Sequence, residues 1–220
     1  MDYLEYSKEN LIATAENPEF KEYAKNNPYA EVELDHALDV SKLTGRLWSI
    51  KFRSIPPVAL KIGGLWHDCD RFFLKEKVDT IKVPKEEYEA TKMKHSKNCV
   101  RIFKRENPKL PFELKEDTSY MIERHEIGGD RFNDEYLETP DQFTNSYNLN
   151  VASDQLEESD GLSFFSVIIP SYAKWASKER VINKIRFSYN KLSPVGERMV
   201  REMKYGDKEI RDLVLSTIGS

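Results

Sequence analysis

Apolar residues recur along most of this chain at the three-to-four-residue spacing that builds one face of a helix. Over residues 1–28, Leu4, Leu11, Ile12, Ala15, Phe20 and Tyr23 fit one or two short amphipathic helices, and Asn26-Asn27-Pro28 is a stop signal. In the next run His36, Val40, Leu43 and Leu47 fall at i, i+4, i+7 and i+11, so the predicted helix carries a histidine on its apolar face. Pro56-Pro57 breaks the chain. The stretch Ala59 to Lys75, ALKIGGLWHDCDRFFLK, comes next. Within it Leu60, Gly64 and His67 share one face, and Leu65, Asp68 and Phe72 share the neighbouring one. LWSIKF and RFFLKEK also alternate as strands do, but the double proline and the spacing around His67 favour helix.

PKEEYEATKMKHSKNCVRIFKRENP has the clearest helical pattern. Pro84 suits the first turn, acidic residues follow it, and basic residues dominate later, as the helix dipole prefers. Tyr88, Thr91, His95, Cys99 and Ile102 share a face. In LKEDTSYMIERHEIGGD, Met121, Ile122 and His125 share a face, and Gly128-Gly129 is expected to end the helix. Residues 130–150 lack helical periodicity and read as a long ordered loop or a cover over a site. Leu156, Asp160, Phe164 and Val167 then form a stripe with an aspartate in its middle. Such an aspartate is costly unless it is paired, hydrogen-bonded or metal-bound. Beyond it, Val181, Ile185 and Tyr189 mark one amphipathic helix, and Ser193-Pro194 is a cap followed by a first-turn proline. The last two helices flank Tyr205-Gly206-Asp207 and read as a packing hairpin, since the segment is not strongly basic.

Composition narrows the class. The 220 residues can bury a substantial core, and 33% charged with 39% hydrophobic residues suits a soluble helix-rich protein. No run of about 18 apolar residues occurs, so no membrane partner is expected. The polar, acidic N-terminus is unlike a signal peptide, which points to the cytoplasm. A net charge of −4 gives no general attraction to nucleic acid, and no specific nucleic-acid binding is expected. Cys69 and Cys99 form no CxxC pair and read as free thiols.

The four histidines, His36, His67, His95 and His125, recur about every 30 residues, as helices returning to one centre would set them. Asp68 and Asp160 complete a set of four imidazoles and two carboxylates, donors that suit divalent first-row metals. Six such ligands could hold two ions and leave positions for water and substrate.

These pieces resemble the HD-domain superfamily of metal-dependent phosphohydrolases. The matching segments are DHALDVSKLTGRL with His36, GGLWHDCDRF with His67-Asp68, KMKHSKNCVRIF with His95, IERHEIGGD with His125 and LEESDGLSFF with Asp160, in the family's order. The resemblance implies an all-α bundle around a central metal site, with an HD core at about 30–170 and a C-terminal helical extension over 171–220 of a single domain. It implies that His36, His67, Asp68 and Asp160 bind a first ion and that His95 and His125 add a second. The ion would be iron, manganese, zinc, cobalt or nickel. The implied substrate is a small phosphorylated molecule such as a nucleotide, attacked by a metal-activated water that Asp68 helps to orient, with His67 and Asp68 at the catalytic centre. Arg71, Lys94, Arg124 and Lys184 are candidates for holding phosphate oxygens. The chain lacks a GYP-type signature and the Glu-Asp pair that accompanies alarmone hydrolysis. Two other readings stand beside this one: a mixed-valent di-iron oxygenase, which shares the ligand set, and a non-catalytic binding or regulatory module built on the same bundle, against which the complete ligand set argues.

Overall fold

A computed structural model of the chain describes residues 1–25, 30–73, 85–125, 143–144 and 147–219. The fold is all-α, as the periodicity predicts. Helix α1 (Tyr3–Ala15) starts at Asp2, whose side chain accepts from the amides of Leu4 and Glu5. Helices α2 (Pro18–Lys25) and α3 (Ala30–Phe52) follow. On α3 the predicted stripe of His36, Val40, Leu43 and Leu47 is buried. The Asn26-Asn27-Pro28 stop and the Tyr23 side chain lie outside the described residues.

Helix α4 (Val58–Trp66) is the axis of the bundle, packing against α1, α3, α6 and α7. All of it but Val58 and Lys61 is buried. Gly64 permits the tight crossing with α3, because a Cβ there would lie 2.8 Å from the backbone N and Cα of Ser41. The chain does not continue as one helix through His67-Asp68, as the spacing predicts. Helix α4 stops at Trp66 with His67 as its C-cap, and the Arg71 amide donates to Asp68 O at 3.0 Å to begin a 3-10 turn, Cys69–Phe73. That turn buries Cys69, Asp70 and Phe72, with the Phe72 ring edge-on to Phe20 at 5.0 Å.

Helix α5 (Lys85–Glu106) carries the predicted face, with Cys99 and Ile102 buried. Pro84 and the Tyr88 side chain lie outside the described residues. Helix α6 (Phe112–Arg124) has His125 as its C-cap; Gly128-Gly129 lie outside the described residues. So does most of the expected loop or cover over 130–150, from which two antiparallel two-residue strands are described: β1 (Phe143–Thr144) and β2 (Tyr147–Asn148). Asn148 then caps α7 (Leu149–Ser163), its side chain accepting from the amides of Asn150 and Val151.

The stripe of Leu156, Asp160, Phe164 and Val167 does not run through at helical spacing. A π turn, Phe164–Ile168, joins α7 to α8 (Ile169–Trp175), leaving Val167 half-buried while Ile169 is wholly buried. Pro170 has no N–H for the carbonyl four residues back, and its ring would crowd that carbonyl in a regular helix. Helices α9 (Lys178–Tyr189), α10 (Pro194–Glu202) and α11 (Lys208–Ile218) complete the chain, with Ser193 and Pro194 in the predicted capping roles. No described helix is long and apolar enough to cross a membrane.

Helices on both sides of the 30–170 segment share its cores. Leu11 and Trp66 pack with Phe103 and Ile122, and Leu43, Leu47 and Leu162 pack with Ile185, Val200 and Val214. Each such fully buried side chain contributes roughly 1.5–3 kcal/mol. A polar clamp locks the C-terminal helices onto α7. Glu158 is buried there and accepts from Lys51 on α3 and from both the amide and the hydroxyl of Ser193. Glu158→Ala is expected to lower stability by about 2–3 kcal/mol. The Lys51 side chain is 17% exposed and can turn to water, which limits the loss. An unchanged urea midpoint would show that the clamp contributes nothing.

Candidate metal centre

Five helices converge on one buried cluster. Helix α3 brings His36, the end of α4 brings His67 and Asp68, α5 brings His95, the end of α6 brings His125, and α7 brings Asp160. The histidines of α4 and α6 are held in the same way. Each sits at a C-cap, and each ring Nδ1–H donates to the carbonyl three residues back: His67 to Gly64 O at 2.9 Å, His125 to Ile122 O at 2.6 Å. These carbonyls belong to the last turn of the helix, which lacks continuing amide partners. A proton fixed on Nδ1 leaves the Nε2 lone pair for the cluster, the arrangement of a metal-binding imidazole. His36 Nδ1 lies 3.0 Å from Ser163 Oγ, so its Nε2 also faces inward.

The first ligand group is His36, His67, Asp68 and Asp160. His36 Nε2 is 3.2 Å from His67 Nε2, 3.1 Å from Asp160 Oδ1 and 3.6 Å from Asp68 Oδ2. His67 Nε2 is 3.5 Å from Asp68 Oδ2 and 3.7 Å from Asp160 Oδ1. Bonds of about 2.0–2.1 Å to a four-coordinate ion imply ligand-to-ligand edges of about 3.3 Å. The atoms therefore stand at the spacing a small divalent ion requires. The histidines are buried, while the Asp160 side chain is 40% exposed and marks the open side.

Electrostatics favour a cation here. Burial opposes charge on His36, but Asp160 and Asp68 outweigh it and hold its pKa up to about 9. Burial likewise opposes charge on Asp68. Arg71, His67, the nearby His36 and the hydrogen bond from His95 overcome it and hold that carboxyl well below the usual range. For Asp160, burial is outweighed by His36 and His67, with the same result. An extra proton on His36 and a divalent ion would answer the same negative charge, so binding of an ion here would be coupled to proton release. Burial pushes both cysteine thiols up, away from reactive thiolates.

The second group is Asp68, His95 and His125. Asp68 turns Oδ2 to the first group and Oδ1 to this one, 2.8 Å from His95 Nε2 and 3.9 Å from His125 Nε2. Arg71 braces the shared carboxylate, with Nη2 2.8 Å from Asp68 Oδ2 and Nη1 3.3 Å from Glu33 Oε2.

All six residues predicted as ligands thus meet, and of the four candidate phosphate-binding cations Arg71 touches the cluster. Lys94 is exposed on α5, Arg124 stacks over the Tyr120 ring at 4.9 Å, and Lys184 on α9 lies over the rings of Phe164 and Phe187 at 5.7 and 5.1 Å. Sequence reasoning missed Ser163, Glu33 and Asp70. Ser163 is three residues beyond Asp160, and a small polar residue beside a suspected ligand was a usable signal. Asp70 lay between the apolar residues Cys69 and Phe72, the same kind of sign that identified Asp160.

Fold and site define an all-α bundle whose buried His/Asp cluster could hold a metal ion. Comparison with known proteins finds no family model, no curated protein and no solved structure that matches the chain.

Proposed function

We propose that the chain is an HD-type metal-dependent phosphohydrolase that cleaves a phosphoester or phosphoanhydride bond in a nucleotide or related small phosphorylated substrate. The observation that carries this reading is the sharing of Asp68 between two histidine groups through its two carboxylate oxygens. A shared carboxylate suits two ions side by side. His36, His67, Asp68 and Asp160 would hold the first, and Asp68, His95 and His125 the second. Iron, manganese, zinc, cobalt or nickel, if bound there, would supply a water nucleophile at neutral pH and offset charge developing on phosphate.

The chain's own residues do the rest. The buried imidazoles wall off one side, so substrate enters past Asp160. Asp68, held by the hydrogen bond from His95 to Oδ1 and by the ion pair of Arg71 with Oδ2, would orient the attacking water. The Arg71 guanidinium is 27% exposed beside Asp68, within reach of a phosphate oxygen that arrives at the cluster.

The test is phosphate release from a panel of nucleotides and sugar phosphates by chelator-treated protein resupplied with each metal in turn. Release that depends on added metal is the expected result. Metal-loaded protein that releases no phosphate from any member would contradict the hydrolase reading. If that protein also held two irons with a mixed-valent EPR signal, the alternative would be O2-dependent cleavage on the same ligands.

A further inference from the structure

Both ring nitrogens of His36 are met by one turn of α7. Asp160 Oδ1 lies 3.1 Å from His36 Nε2, and Ser163 Oγ lies 3.0 Å from His36 Nδ1. Asp160 and Ser163 are three residues apart, and side chains at that spacing stand on the same side of a helix. His36 and Ser163 are wholly buried. Ser163 is the last residue of α7, and the π turn that follows buries Phe164 and Phe165, which anchors the helix end that carries the hydroxyl. A second polar rung stands one turn further along. The hydroxyl of the exposed Ser166 donates to Asp39 Oδ2 and lies 3.4 Å from the Ser163 carbonyl. His36 and Asp39 are likewise three residues apart on α3. The two helices are thus joined by a buried rung at the metal centre and an exposed rung beside it.

The buried rung has a task that the exposed one lacks. An imidazole turns easily about its outer side-chain torsion, and only one of its orientations aims Nε2 at the ligand group. His67 and His125 are held by backbone carbonyls, which no substitution removes, whereas His36 is held by a side chain. We infer that Ser163 is a positioning residue for the first metal position: its hydroxyl accepts the Nδ1 proton of His36 and so keeps the Nε2 lone pair aimed at the space between His67, Asp68 and Asp160. The inference rests on the metal-binding reading above and concerns its first position alone. Without the hydroxyl, the buried Nδ1–H loses this acceptor. The ring can then turn, or carry its proton on Nε2, where it blocks the ion. Outer partners of ligating histidines typically contribute about 10–100-fold in metal affinity.

The experiment is a zinc titration by calorimetry of chelator-stripped full-length protein, in wild type and in a His125→Ala background that keeps only the first position. Ser163→Ala and Ser166→Ala are introduced separately into that background. Ser163→Ala should weaken zinc binding about 10–100-fold. Ser166→Ala removes the neighbouring rung without touching His36 and should leave the affinity close to that of its parent. Equal weakening by both would mean that the serines merely hold the helices together, and an unchanged affinity in Ser163→Ala would mean no role. Either overturns the inference while leaving the metal-binding reading standing. A His125→Ala protein that folds but binds no zinc, when wild type does, would contradict a separate first position and this inference with it. A wild type that binds no zinc would remove the metal-binding reading itself. Should the variants fail to fold, zinc-loaded wild type labelled with 15N-histidine decides the matter by NMR. Zinc on Nε2 of His36 with a proton on Nδ1 is expected, and zinc on Nδ1 or a bare Nδ1 overturns the assignment.

Discussion

Asp68→Ala is expected to empty both metal positions at once and to lower turnover by at least about 1,000-fold. The reason is geometric. Asp68 Oδ2 stands with His36 and His67, and Oδ1 stands with His95, so one truncation strips a ligand from each group. His125→Ala touches the second group alone and should leave one ion bound. The contrast between the two variants tests the shared carboxylate more sharply than either loss by itself. Helix content should largely survive Asp68→Ala, because the residue lies in the turn after α4 and the apolar packing of Leu60, Ile62 and Leu65 is untouched. Metal analysis with circular dichroism on both variants checks this. An Asp68→Ala protein that keeps two ions and full turnover would remove Asp68 from the site.

Gly64→Ala should have the second largest effect. Its new Cβ meets Ser41 N and Cα at 2.8 Å, and these are backbone atoms of α3 that cannot rotate aside. The helices must part, at a cost of about 1–3 kcal/mol. His36 and His67 sit about one turn from this crossing on the same two helices, so their 3.2 Å Nε2–Nε2 spacing opens as well. A stability loss should therefore be accompanied by a loss of metal affinity. Gly63→Ala is the control: its Cβ would meet Leu156 Cδ2 at 3.4 Å, the tip of a side chain that can yield. Melting temperature and zinc affinity measured on both variants check the prediction. Equal behaviour of the two would show that the α3–α4 crossing does not set the site.

The ligand set was legible in the sequence because its members interrupt apolar stripes. His36 precedes Val40 by one turn on a buried face, and Asp160 sits between Leu156 and Phe164. A polar residue in such a position needs a partner, and several together point to a common one. The turn at His67-Asp68 was not legible, since LWHDCDRF continues a plausible helical pattern. What ends the helix is the His67 side chain donating to the Gly64 carbonyl one turn back, together with the burial of Phe72 against a distant Phe20. The π turn after Ser163 was hidden for a related reason: Pro170 signals a break, but whether the chain bends, stops or widens there depends on how Phe164 and Phe165 pack. Asp70, between Cys69 and Phe72, carried a sign of the kind that marked Asp160, but the side chain it meets, His95, is 25 residues away on another helix. Pairings of that kind emerge only when the elements are assembled.

The most direct test of the central claim is the metal content of freshly purified full-length protein, measured by elemental analysis before and after reconstitution. One or two transition-metal ions per chain, lost in Asp68→Ala, is the predicted result. No bound metal after reconstitution, with the helical fold intact, would contradict it and leave the four histidines as structural members of the bundle.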